Sequence, residues 1–155
     1  MALGTNEYMS AFQRLYGASK TIKDSDYPVC HYLLGLAAEC ALRSVVMKKV
    51  ESISKPHRIG ALYETALKAD PRNVLLAQAA TNVKFVQLLW DNRDRYADPY
   101  GLYIQKFRTH FVIRELSIPN DKINNPTFVQ KRVRENMEWS AGGWLDTFGQ
   151  RIRIG

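Results

Sequence analysis

Apolar residues recur at helical spacing along most of the chain. From Asn6 to about Ser19, Tyr8, Phe12, Leu15 and Tyr16 share one face, while Gln13, Arg14 and Lys20 take the other. Asp24, Ser25 and Asp26 offer capping oxygens, and Pro28 suits a first helical turn, where its missing amide donor would be unpaired anyway. The second helix, Val29 to Lys49, is apolar on nearly every side. Leu33, Leu36, Ala37, Cys40, Ala41 and Val45 dominate it, the pattern of a central element. Breakers in Glu51–His57 end it, and Leu62, Tyr63, Ala66 and Leu67 mark a third helix up to Asp70-Pro71. Pro71 and Arg72 open a fourth, ending near Trp90, with Val74, Leu75, Ala77, Ala80, Val83, Val86 and Leu89 inward.

The rest reads less regularly. Asp91–Gly101 is a polar loop whose composition keeps it out of the core. Leu102–Leu116 fits either an amphipathic helix or a β-hairpin arm, with helix preferred. Ser117–Pro126 is a loop, and Thr127 is the candidate cap of a last helix reaching about Phe148. Its inward residues would be Phe128, Val129, Val133, Met137, Trp139 or Ser140, and Trp144. The Gly142-Gly143 pair is awkward in a helix interior and marks a break. The expectation is an all-α, up-and-down bundle of five to six helices in one domain over residues 1–155, with a less typical segment at 98–155.

At 155 residues the chain is long enough for one core and short for two. His31, Glu39 and Arg43 interrupt the most apolar stretch, Val29–Val46, so it does not read as a membrane span. The first residues lack a basic segment followed by an apolar one, which leads to the expectation of a cytoplasmic protein. Cys30 and Cys40 on one helix lie ~15 Å apart, beyond disulfide reach. They read as buried thiols, and their spacing gives no metal signature. Neither a phosphate-cradling GxxxxGK[ST] loop nor a dinucleotide fingerprint is present, and no cofactor is expected.

Charge adds a direction. Lys and Arg total 22 against 15 Asp and Glu, a formal net charge of +7 that favours polyanionic partners. The excess is denser after residue 105, where nine basic side chains stand against five acidic ones.

Three histidines limit imidazole chemistry. His31, early in the central helix, reads first as a hydrogen-bonded interior residue, and His110 as a surface one. His57, beside Arg58 at the start of the third helix, is the better functional candidate, because loop and helix-start positions host sites more often than core faces. Glu39 and Arg43 stand four apart and can pair along one face. A satisfied ion pair outweighs the alternative that they line a cleft or a dimer interface. The run Trp90-Asp91-Asn92-Arg93-Asp94-Arg95-Tyr96 interleaves rings with guanidinium groups, as a phosphate- and base-gripping segment would, although Asp91 and Asp94 can neutralise its arginines.

The run Tyr32-Leu-Leu-Gly-Leu-Ala-Ala-Glu-Cys-Ala-Leu-Arg43-Ser-Val-Val46 resembles the second-helix signature of the HEPN superfamily (higher eukaryotes and prokaryotes nucleotide-binding domain). In that family an aromatic-Leu-x-Gly pattern precedes a Glu and then a Leu followed by Lys or Arg. Ser54–Leu62 is similar to the family's loop and His-led helix, and Trp90 with Arg95-Tyr96 to its Trp…Arg-Tyr element. The resemblance spans about residues 5 to 97. It implies a helical bundle, frequent homodimers, and roles in RNA cleavage, toxin–antitoxin pairs, phage defence or partnership with a nucleotidyltransferase. Ribonuclease members carry an Arg separated by four to six residues from a His. Here the corresponding positions before His31, His57 and His110 hold no Arg. Metal-independent cleavage needs a proton-transfer group and a cation at fixed separation, so the resemblance points to a divergent, non-catalytic binder of RNA or nucleotide, or of a protein partner such as an antitoxin. Glu39, Arg43, His57, Arg95 and Tyr96 are then the ligand-contacting candidates. One alternative is a ribonuclease using His57, Arg58 and Glu39. Another is an interaction module docking through Trp139, Trp144 and Phe148.

Overall fold

A computed structural model describes residues 5–46, 58–91 and 98–143. Every regular element among them is helical. Helices α1 (Thr5–Ile22) and α2 (Tyr27–Val46) are joined by a four-residue turn and pack along one another. Asp26 makes that turn work: its Oδ1 accepts from the Val29 amide at 3.3 Å, while its own amide and that of Ser25 close on the Ile22 carbonyl. The expected capping segment therefore caps α2. Met9, Phe12 and Ser19 are the fully buried positions of α1, with Tyr8, Leu15 and Tyr16 half-buried around them. α2 is central, as its composition requires, and Leu34, Ala37, Ala38, Ala41 and Leu42 are all within 1% of complete burial.

Helix α3 (Ile59–Ala69) packs on α2. The helix expected from Pro71 instead starts at Val74, because Asn73 caps it: its Oδ1 accepts from the Leu76 amide, and its Nδ2 donates to Asp70. It then divides at Ala79 into α4 (Val74–Gln78) and α5 (Ala80–Leu89). The inward face is Leu76, Ala79, Val83, Val86 and Leu89, so Val74, Ala77 and Ala80 face solvent, contrary to expectation. A first-turn valine has no turn before it to pack against, and Val74 is 65% exposed. The Tyr63 hydroxyl donates to the Leu76 carbonyl at 2.7 Å and fastens α4 to α3; burial raises its pKa.

The stretch read as loop to Gly101 turns helical at Pro99. α6 (Pro99–Leu102) runs into a π-helical turn, Tyr103–Phe107, and Leu102, Tyr103 and Phe107 enter the core. Leu102–Leu116 is helical, as preferred, but in two pieces. Arg108 breaks it, and Thr109 caps α7 (His110–Glu115) through the Val112 amide. α7 ends in a paired closure, with the Ser117 amide on the Arg114 carbonyl and the Ile118 amide on the Ile113 carbonyl. This geometry puts Ser117 at φ 52°, a left-handed position where glycine is usual. A 3-10 turn at Asn120–Lys122 leads to α8 (Pro126–Met137). Its cap is Asn125, whose Oδ1 accepts from the Phe128 amide at 3.1 Å, and not the expected Thr127; with Pro126 supplying the first turn, the helix starts earlier. Val129, Val133 and Met137 face inward as expected. A second π-helical turn, Glu138–Gly143, buries Ser140 and leaves Trp139 55% exposed, which settles the expected choice between them. A Cβ on Gly142 would fall 2.0 Å from the Tyr16 ring, so Gly142 permits close packing on α1. Trp144 and Phe148 lie outside the described residues.

Two contacts join the parts around α2. Gly35 receives the indole of Trp90, which also stacks on Tyr32 with ring centroids 6.4 Å apart. His31, 1% exposed, has its Nε2 2.7 Å from the Leu89 carbonyl at the end of α5. Its ring lies between Tyr27, stacked, and Phe107, edge-on. His31 thus fills the interior, hydrogen-bonded role. No described helix is long and apolar enough to cross a membrane.

Candidate functional site: a groove between α3 and α5

The N-terminus of α3 and the C-terminal end of α5 border an open groove of about 440 Å³. That size lies within the range of small-molecule sites. Arg58, Ile59, Gly60 and Ala61 form one side, with Glu64 one turn further along α3; Gln87, Trp90 and Asp91 form the other. Arg58 occupies the cap position of α3 in extended conformation, and its side chain makes no capping hydrogen bond. Arginine has no side-chain acceptor, so the first amides of α3 gain no oxygen from it. An exposed guanidinium therefore stands beside a helix start, two features that both favour a phosphate or carboxylate.

Opposite them, Gln87 lies close over Gly60; a Cβ there would meet its carboxamide oxygen at 2.7 Å. This carboxamide offers a donor and an acceptor, as the edge of a base requires. Trp90 is only 5% exposed and is mainly a wall, fixed by Gly35 and Tyr32. Glu64 and Asp91 also line the groove and disfavour an anion beside them. Gln87, Glu64 and Trp90 come together only through tertiary packing. Of these, the sequence singles out Trp90 alone.

The other candidates are placed as follows. Glu39 and Arg43 do pair, Arg43 Nε to Glu39 Oε2 at 3.7 Å, with side chains 5% and 13% exposed respectively. The Arg43 guanidinium also lies 5.6 Å from the ring centroid of Tyr8 in α1. Neither residue is among the described lining of the groove. His57, Arg95 and Tyr96 lie outside the described residues; His57 precedes Arg58 in sequence, and Arg95 and Tyr96 follow Asp91 by four and five positions. His110 is exposed, as read. Cys30 and Cys40 are free, buried thiols. Burial pushes each up to about 11, with Glu138 adding to the rise at Cys30 and Glu39 at Cys40. Among the described residues, no three His, Cys, Asp or Glu side chains gather as a metal site would need. Comparison with protein-family models, with curated proteins and with solved structures finds no match.

Proposed function

We propose that the chain is a divergent, non-catalytic HEPN-like protein that binds a nucleotide or an RNA strand end, with the phosphate held at the Arg58 end of the α3–α5 groove. The observation carrying this reading is the exposed Arg58 guanidinium beside a helix start that it does not cap, at the mouth of a groove of suitable volume. The net charge of +7 supports a polyanionic partner. The packing of Gly35 against Trp90 supports the resemblance, because it gives two separated parts of the family pattern one shared structural role. A homodimer in a prokaryotic defence or toxin–antitoxin setting, with an antitoxin or a nucleotidyltransferase as partner, belongs to the same proposal.

Calorimetric titration with adenosine monophosphate and with a 5′-phosphorylated RNA trinucleotide, at low salt where phosphate contacts are strongest, tests it. Binding of both, weakened about tenfold or more in Arg58→Gln, is the expected result, since a charge-assisted contact is worth ~1.5–3 kcal/mol. Absence of binding by the wild type, or undiminished binding by the variant, overturns it.

A further inference from the structure

On the side formed by α7, the following turn and α8, cations are held by neutral groups. Arg108 Nη2 donates to Asn124 Oδ1 at 2.7 Å. Arg132 Nη1 donates to the carbonyls of Leu116 and Ser117 at 3.0 and 3.5 Å. The ring of Phe128 lies between Arg132 and Lys122, whose cationic centres stand 5.4 and 5.8 Å from its centroid. Arg43, Lys84, Arg114 and Arg134 each meet a carboxylate within 4.0 Å. Arg108, Lys122 and Arg132 close no such pair with another described residue. A carbonyl or amide oxygen fixes a guanidinium without cancelling its charge, so Arg108 and Arg132 are preoriented yet uncompensated, and the Phe128 ring leaves the Lys122 charge in place too.

Asn124 immediately precedes the α8 cap, and the Tyr103 hydroxyl donates to the Ile123 carbonyl, tying the turn to the helices on either side. Three residues after Arg108, Phe111 is 44% exposed with Arg114 5.2 Å from its ring centroid. Carboxylates stand nearby as well: Glu115 is engaged by Lys84 and Arg114, Asp121 is exposed beside Lys122, and Glu135 is exposed on α8 one turn after Arg132.

We propose that this surface carries a single-stranded nucleic acid, with Arg108, Lys122 and Arg132 on successive phosphates and Phe111 under a base. Cations interleaved with an exposed ring match a strand whose bases are free to stack; a duplex would give the ring nothing to receive. The proposal rests on the reading of the chain as a nucleic-acid binder, but it shares no residue with the α3–α5 groove and assigns strand binding to the part of the chain outside the family resemblance.

Anisotropy titrations of the whole chain with labelled oligouridylate and oligothymidylate of about twelve nucleotides, over a salt series, test it. Each phosphate contact on a single strand contributes about 0.7 to the slope of log K against log salt. Arg108→Gln/Lys122→Gln/Arg132→Gln should therefore lower the slope by about 2. Arg108→Gln/Lys122→Gln, which leaves the Leu116 and Ser117 carbonyls partnered, should lower it by about 1.4. Phe111→Ala should weaken binding at least about fivefold with the slope unchanged. The charge-matched control Lys68→Gln/Arg72→Gln, on α3 and the turn after it, should keep the wild-type slope. Equal affinity for RNA and DNA supports contact with phosphate and base alone, and preference for RNA supports an added 2′-hydroxyl contact. An unchanged slope in the double variant, or polyglutamate competing as well as the oligonucleotide, overturns the proposal. Oligonucleotide binding with the expected slope changes but no mononucleotide binding removes the groove reading and leaves this one standing. Mononucleotide binding with an unchanged oligonucleotide slope in the double variant removes this one alone.

Discussion

Replacing Gly35 by alanine sets helix propensity against packing. In the middle of α2, alanine is worth ~1 kcal/mol over glycine by propensity. Its Cβ, however, would lie 2.0 Å from Trp90 Nε1 and 2.1 Å from two indole carbons, against the ~3.5–4.0 Å at which carbon atoms rest. A retreat of roughly 1.5 Å must come from a rigid ring that is 5% exposed and stacked on Tyr32. Overpacking of this kind costs ~1–3 kcal/mol. Expelling the indole completely would forfeit ~4–6 kcal/mol, an upper bound from 150–250 Å² at 25 cal/mol per Å². The ~1 kcal/mol from propensity offsets part of either cost, so packing wins with a net loss of up to ~2 kcal/mol if the ring shifts and ~3–5 kcal/mol if it is expelled, and the melting temperature falls by up to ~8 °C or by ~6–20 °C for a chain of this size. Thermal unfolding followed by circular dichroism reads the effect. The decisive arm is the Trp90→Leu background, where the opposing ring is gone and Gly35→Ala should be neutral or stabilising by up to ~1 kcal/mol. A higher melting temperature for Gly35→Ala alone, or a coupling energy below ~0.5 kcal/mol, would refute the reasoning.

Asn125→Ala should cost ~1 kcal/mol in a urea titration and Thr127→Ala much less, because Asn125 alone supplies the α8 cap. Ser117→Gly should raise the urea midpoint by the equivalent of ~0.5–1 kcal/mol, since φ 52° is free of strain only for glycine. Glu39→Gln leaves the Arg43 charge at 13% exposure without its carboxylate and should cost ~3 kcal/mol in the same titration, with Arg43→Met in the same chain recovering much of it. Iodoacetamide should label Cys30 and Cys40 at pH 8 only after unfolding, because both folded thiols ionise near 11 instead of 9.0. The same shift makes unfolding release protons above pH 9, so stability present below pH 9 should decline between pH 9 and 11 in equilibrium denaturation.

What could be read in advance follows what each signal encodes. α1 and α2 were legible because a 3.6-residue apolar period and an Asp at the turn are local facts, and the Glu39–Arg43 pair follows from spacing alone. The capping Asn125 was hidden beside a Thr two residues on, since both side chains can cap and only the Pro126 register decides. Residues 99–107 resisted reading because a π-helical turn shifts the apolar period, so Leu102, Tyr103 and Phe107 fit no single template. Arg58 could be flagged by its neighbour His57, whereas Gln87 and Glu64 carry no mark until packing sets α5 beside the start of α3. On the α7–α8 side the sequence shows a denser positive charge after residue 105 but reads Phe128 as core. The ring is half-buried, and Lys122 and Arg132 flank it.

The contact of His31 with the Leu89 carbonyl fixes a proton as well as a ring. A carbonyl can only accept, so Nε2 carries a hydrogen. At 1% exposure that hydrogen is shielded from solvent exchange. It should give a slowly exchanging, resolved signal in proton NMR. With Phe107 edge-on to the same ring, the signal depends at once on α2, the end of α5 and the turn after α6. A single resonance thus reports whether the segment beyond residue 98 is docked on the first two helices, and its loss should coincide with global unfolding if the described parts melt as one cooperative unit.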